Sequence, residues 1–289
     1  MVPALEIKGL RKEYNGFFLK DISFSLPQGY VMGLIGPNGA GKTTIIKLIL
    51  NLIKKKAGEI RVFGMDNLKQ EIEMKSRIGF VHEVPSFYGY MKLERVKSIV
   101  SRFYPAWDDK LFSRLCGEFK LPLGKKISSL SRGMNTKFAL ALALSHDADL
   151  LLMDEPTSGL DPVFRRELME RLSEIIQDEQ KAVLFSTHIT SDLERTADYI
   201  TYIQGGEIIF SSTKDKVRED WAIVKGENEL LSDEILPLFK GIRKSQYGFK
   251  ALTSDIDKVR RQLSGQNLIV EKASLDEIMF FLSKGEINA

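Results

Sequence analysis

The sequence predicts an α/β fold with a largely parallel sheet, and three features carry that reading. Short apolar runs of strand length occur at Tyr30 to Ile35, Ile78 to Val81, Leu150 to Met153 and Ala182 to Ser186. Between the first two, Thr43 to Ile53 has apolar residues at 45, 46, 48, 49, 52 and 53, the spacing of one helix face. The runs are apolar almost throughout, which fits strands covered on both sides, as in a parallel sheet.

Each element follows in order. Asp21 to Leu26 alternates polar and apolar residues, which puts Ile22, Phe24 and Leu26 on one strand face, and Pro27-Gln28-Gly29 reads as a turn. A glycine-rich loop separates the strand ending at Ile35 from the helix beginning near Thr43. The stretch from about 90 to 145 has helical patterns and few strand signals, and is expected to form a helical subdomain. Tyr199 to Ile203 and Ile208 to Phe210, joined through Gly205-Gly206, read as a hairpin closing the first domain. Residues 1–221 are therefore expected to form one domain, and residues 222–289 an accessory domain ending in an amphipathic stretch, Leu275 to Leu282.

Composition narrows the class. Of 289 residues 43% are hydrophobic and 28% charged, which excludes collagen-like and disordered chains. One cysteine, Cys116, allows no internal disulfide and fits a reducing compartment. Met1 to Lys8 lacks the pattern of a signal peptide. The longest charge-free stretch, Ile22 to Gly41, is interrupted by Pro27, Gln28, Gly29, Pro37 and Asn38, so no membrane span is expected. A net charge of +3 gives no reason to expect a nucleic-acid partner. The charge is uneven, however. From Lys92 to Lys126 nine basic and four acidic residues carry +5, either a solvated helix face or a surface for a partner or an anionic membrane.

Gly36-Pro37-Asn38-Gly39-Ala40-Gly41-Lys42-Thr43, followed by Thr44, fits the phosphate-binding pattern G-x-x-x-x-G-K-[ST] in its required place between strand and helix. Its backbone N–H groups and the helix N-terminus suit phosphate oxygens, Lys42 suits the terminal phosphates, and the Thr43 hydroxyl suits Mg2+. Leu150 to Asp154 ends an apolar strand on a carboxylate that can reach the same metal. Glu155 can take a proton from an attacking water, which favours hydrolysis over transfer to a substrate hydroxyl. A small-molecule kinase is the less fitting alternative.

At this point the chain resembles the nucleotide-binding subunits of ABC transporters, over about Leu5 to Ser211. Leu130-Ser131-Arg132-Gly133-Met134 is similar to the family's signature motif, normally LSGGQ, 20 residues before Asp154. Ser158-Gly159-Leu160-Asp161 resembles its D-loop, His188 its switch histidine, and Tyr14 the aromatic residue that stacks on adenine. Taken singly, Tyr14 could be a core aromatic, His188 a strand-end histidine and Ser131 a helix cap. The resemblance implies a P-loop NTPase with a RecA-like parallel-sheet core, an N-terminal antiparallel β subdomain, a helical signature subdomain and a small C-terminal α+β extension. It further implies ATP and Mg2+ as cofactors and a head-to-tail homodimer in which Ser131 and the backbone at Gly133 contact the γ-phosphate held by the partner, with Asp161 a further candidate nucleotide-binding residue and Arg132 reaching either the partner's nucleotide or Glu83. Separate integral membrane permease subunits would dock on the cytoplasmic face of the cell membrane, where the chain would be peripheral.

Three departures from the family pattern stand out. Glu83 lies where the family usually has glutamine, a candidate Mg2+ ligand with Thr43 and Asp154, yet a charge unfavourable to an approaching γ-phosphate. Arg132 replaces a glycine and Met134 a glutamine. Glu83, Phe103-Tyr104-Pro105-Ala106-Trp107-Asp108 and the C-terminal tail resemble ABC-2-type exporter ATPases of the bacitracin-resistance and phenol-soluble-modulin exporter group. The alternative is an ABC ATPase acting on ribosomes or DNA, a class that resembles tandem ATPases or chains with long coiled coils or zinc fingers.

Overall fold

The computed structural model describes residues 2–14, 16–83, 87–284 and 286–288. The chain divides into two compact units, Met1–Ser211 and Ser212–Ala289. The division lies at 211/212 rather than 221/222, since the helix Lys214–Asp220 belongs to the second unit.

In the first unit, β1 (Leu5–Tyr14) and β2 (Phe17–Leu26) pair antiparallel around the turn at Gly16, followed by β3 (Val31–Ile35) and α1 (Lys42–Ile49). Next come β4 (Ala57–Val62), β5 (Met65–Asp66), α2 (Glu71–Ser76) and β6 (Ile78–Val81). The helical subdomain follows, with α3 (Leu93–Val100), α4 (Asp109–Glu118) and α5 (Arg132–Leu144). The unit continues through β7 (Leu150–Asp154), α6 (Pro162–Ile175), β8 (Ala182–Thr187), α7 (Thr190–Thr196) and β9 (Tyr199–Gln204), and β10 (Glu207–Thr213) runs across the 211/212 division.

Among the described residues these strands form two sheets. One is antiparallel, β2-β1-β4-β5, and buries Ile22, Phe24 and Leu26 as the alternation requires. The other, β10-β9-β3-β8-β7-β6, is parallel at every pairing from β9 to β6. Val31–Ile35 is buried along its whole length, as a central parallel strand must be. The β9–β10 turn has both glycines at positive φ, Gly205 at 56° and Gly206 at 78°, a geometry that side-chain-bearing residues adopt at a cost. Helix α1 stops at Ile49, short of the expected Ile53, because Asn51 turns left-handed at φ 52°.

Strand ends position the site. In the parallel pairings Ile35 stands opposite Thr187, Asp154 opposite Ser186, and Val81 opposite Met153. The carboxyl ends of β3, β8, β7 and β6 are therefore nearly level, and the loops leaving them converge. Crevices of this kind at strand carboxyl ends are where α/β sheets bind ligands.

The second unit holds α8 (Lys214–Asp220), β11 (Ala222–Gly226), β12 (Gly241–Ser245), β13 (Gly248–Thr253), α9 (Ile256–Gln262), β14 (Ile269–Lys272), α10 (Leu275–Lys284) and β15 (Glu286–Asn288). Its sheet, β14-β11-β13-β12-β15, is antiparallel except for the parallel pairing of β12 with β15. Val224, Ile242, Phe249, Ala251 and Val259 lie in a core of this unit's own. Among the described residues no helix is long and apolar enough to cross a membrane. Cys116 is buried, and burial pushes its thiol up to about 11, so it stays an unreactive thiol.

Candidate functional site

The loop between β3 and α1 and the ends of β6, β7 and β8 enclose a cavity of about 630 Å³. Tyr14, Asn38, Gly39, Ala40, Gly41, Lys42, Thr43, Thr44, Glu83, Glu155 and His188 all line it, so most of the residues singled out in the sequence meet at one place. Phe17 lines it too, a residue that the sequence reading missed. It stands opposite Tyr14 in the β1–β2 pairing. The walls give an aromatic end and a phosphate-loop end, the polarity of a nucleotide.

Gly41 caps α1 at φ 115°, and a Cβ there would stand 2.6 Å from Leu19 Cδ2 and 3.0 Å from Phe17 Cζ. Backbone conformation and crowding thus both demand glycine. Lys42 is 6% exposed, and its Nζ donates to the Gly36 carbonyl at 2.8 Å and the Pro37 carbonyl at 3.4 Å. The same Nζ lies 3.4 Å from Glu155 Oε1. Gly36 and Pro37 therefore act through the lysine and do not themselves line the cavity.

A chain of buried polar groups joins β7 to β8 and α1. Ser186 Oγ donates to Asp154 Oδ1 at 2.7 Å and accepts from the Glu155 N–H at 2.9 Å. The Thr43 hydroxyl donates to the same Asp154 oxygen at 3.1 Å. Asp154 is 1% exposed and Ser186 wholly buried, so the Asp154–Thr43 pair is held rigidly. A hydroxyl and a carboxylate side by side are hard oxygen donors, which suit Mg2+ completed by phosphate and water. Among the described residues no cluster of three His, Cys, Asp or Glu could hold a metal ion by protein ligands alone.

Glu155 takes φ 47°, left-handed for a residue with a side chain, a conformation that costs on the order of 1–3 kcal/mol and persists only when its surroundings enforce it. They do so here. Its N–H is held by Ser186, its carbonyl accepts from the Ser158 N–H at 3.0 Å, and its carboxylate lies between Lys42 and His188. His188 Nδ1 donates to Glu155 Oε2 at 2.8 Å. A carboxylate, Lys42 and His188 thus face one cavity beside the Asp154–Thr43 pair.

The residues of the signature resemblance lie elsewhere. Ser131, Arg132, Gly133 and Asp161 are not among those lining the cavity. Ser131 caps α5, its Oγ accepting from the Met134 N–H at 3.2 Å. Asp161 caps α6 by accepting from the Phe164 N–H at 2.9 Å, and that bond holds its carboxyl below the usual range. Arg132 Nη2 donates to Glu83 Oε1 at 3.1 Å and Ser158 Oγ at 2.9 Å. A further polar cluster was not foreseen: Asp192, 2% exposed, accepts from Thr157 Oγ1 at 2.8 Å and from Arg165 Nε at 2.6 Å. It ties the segment after Glu155 to α7, which follows His188.

Comparison with known proteins agrees with this geometry. A family profile described as ABC transporter matches residues 19–158. The lantibiotic transport ATP-binding protein SrtF of Streptococcus pyogenes is 32% identical over 216 residues, covering 73% of this chain and 91% of that protein. The Nod factor export ATP-binding protein I of Rhizobium johnstonii is 28% identical over 304 residues, covering 99% of this chain and 96% of that one. A solved structure of the ATP-binding subunit of an ABC transporter superposes with TM-score 0.69 at 29% identity, covering 75% of this chain and 92% of its own.

Proposed function

This chain belongs to the family of ABC transporter ATP-binding proteins, whose members hydrolyse ATP to power transport, and from that premise we propose that it drives export through a separate membrane permease. The observation that carries the catalytic part is the Glu155 carboxylate, fixed between Lys42 and His188 on a cavity that also presents the phosphate loop.

In this reading Tyr14 and Phe17 flank the adenine, while the N–H groups of residues 38–44 and Lys42 take the phosphates. Thr43 and Asp154 would hold Mg2+, which would offset phosphate charge. Glu155 accepts the proton of the attacking water, and His188 orients that carboxylate and meets the terminal phosphate. Before that step, as the nucleotide enters, Lys42 exchanges its contact with Glu155 for a phosphate oxygen, which frees the carboxylate for the water.

Ser131 and Gly133 do not reach the cavity of their own chain, so a site that uses them needs a second copy, packed head to tail. ATP bound between the copies favours the closed dimer, and hydrolysis releases it. Export, of a peptide, antibiotic or amphipathic compound, is supported by the lantibiotic and Nod factor relatives. The permease would dock on the helical subdomain, which exposes Tyr88, Tyr90 and Phe103. The cytoplasmic face of the membrane follows from that partner. The test is turnover: the purified chain should hydrolyse ATP with Mg2+, and Lys42→Ala should abolish nucleotide binding and turnover together.

A further inference from the structure

Glu83 and Arg132 are two of the chain's three departures from its family's pattern, and in the structure they touch. A carboxylate lining a polyphosphate cavity is an electrostatic liability, because it repels the phosphate nearest to it. Arg132 supplies the opposite charge at 3.1 Å.

The position of Arg132 needs explaining in its own right. It is the first residue of α5, where a cation faces the positive end of the helix dipole and the first turn offers no acidic residue to balance it. Nor is it there to occupy a backbone state reserved for glycine, because Arg132 is not among the side-chain-bearing residues at positive φ. The surroundings are shaped to its side chain. Gly159, at φ +75°, leaves the room: a Cβ there would stand 3.0 Å from Arg132 Cδ. Ser158 Oγ takes a second bond from the same nitrogen that holds Glu83. The pair is about half exposed, 46% and 40%, and ion pairs so exposed add little to stability. Its value must lie in what it does to Glu83.

We propose that Arg132 is a positioning residue that acts within its own chain: it turns the Glu83 carboxylate toward α5 and neutralises it, so that the cavity accepts a nucleotide triphosphate. The proposal rests on the nucleotide reading of the cavity and replaces an Arg132 contact to the partner's nucleotide with a contact inside one subunit. Because the γ-phosphate carries the additional charge, the effect should discriminate a triphosphate from a diphosphate.

The experiment compares binding of a non-hydrolysable ATP analogue and of ADP, each with Mg2+, to the full chain by calorimetry. Arg132→Gln should weaken the triphosphate analogue by about threefold to tenfold and ADP by less than about twofold, the scale of one screened charge several ångströms away. Arg132→Lys should keep most of the wild-type affinity. Adding Glu83→Gln to Arg132→Gln should restore the analogue to within about twofold of wild type, since the charge to be offset is gone. Equal losses for both nucleotides, a loss that persists in the double variant, or no loss at all would overturn the proposal. Failure of wild type to bind either nucleotide would instead refute the functional reading beneath it.

Discussion

His188 Nδ1 lies 2.8 Å from Glu155 Oε2, a bond that fixes which way the catalytic candidate's carboxylate points. The carboxylate can only accept, so Nδ1 carries the proton and the other ring nitrogen is left for whatever enters the cavity. Glu155 is 8% exposed, whereas the His188 side chain is half exposed. The histidine therefore meets a buried acid from the side open to the cavity.

From this arrangement His188→Ala should leave ADP affinity within about twofold of wild type while lowering ATP turnover by about 10²-fold, the scale of a lost acid–base or orienting contact. Steady-state turnover and ADP titration measured side by side check it.

The phosphate loop and the acids Asp154 and Glu155 at the end of β7 were legible because their chemistry is tied to local spacing. Phe17 was not singled out, although Tyr14 was; the short turn at Gly16 that pairs the two residues was the available signal. Ser186 looked like the end of a buried strand, and only the register that sets it opposite Asp154 reveals a hydroxyl bonded to the Asp154 side chain and the Glu155 backbone N–H. Asp192 and Arg165 are 27 residues apart, and no sequence pattern announces that they meet. The sheet of the second unit is built from short strands, and β11 pairs with β14 across a long stretch of chain, so only the amphipathic stretch that forms its final helix was evident beforehand.

Docking on the helical subdomain can be tested more narrowly than charge counting suggests. Lys97 forms an ion pair with Asp109 and lies over the Trp107 ring at 5.7 Å, so its reversal would disturb the subdomain itself. Arg95 and Arg102 are exposed. Arg95→Glu with Arg102→Glu should release the chain from a co-expressed permease while ADP affinity stays within about twofold, the shift expected for charges outside the cavity. Unchanged co-purification at physiological salt would mark these residues as a solvated face.

His146 should make stability depend on pH. It is 2% exposed, stacks on Tyr104 at 3.7 Å, and burial pushes its pKa down from 6.5 to about 4. The folded state keeps it neutral, while the unfolded chain takes up a proton below pH 6.5. Its contribution is thus complete above pH 6.5 and is lost as pH falls toward 4, on the order of 3 kcal/mol at most. Melting temperatures of wild type and His146→Gln across that window should converge as pH falls, because the variant lacks this titration. Parallel curves would show that His146 is not held neutral.

The central claim is that Glu155 accepts the proton of the water that attacks ATP. Glu155→Gln keeps shape and size, removes the basicity, and leaves Lys42 its bonds to Gly36 and Pro37. Measured on the purified full chain, ATP binding should persist, turnover should fall by about 10²-fold or more, as for a lost general base, and the ATP-bound variant should accumulate as a dimer in size-exclusion chromatography. Unchanged steady-state turnover in Glu155→Gln would contradict the account.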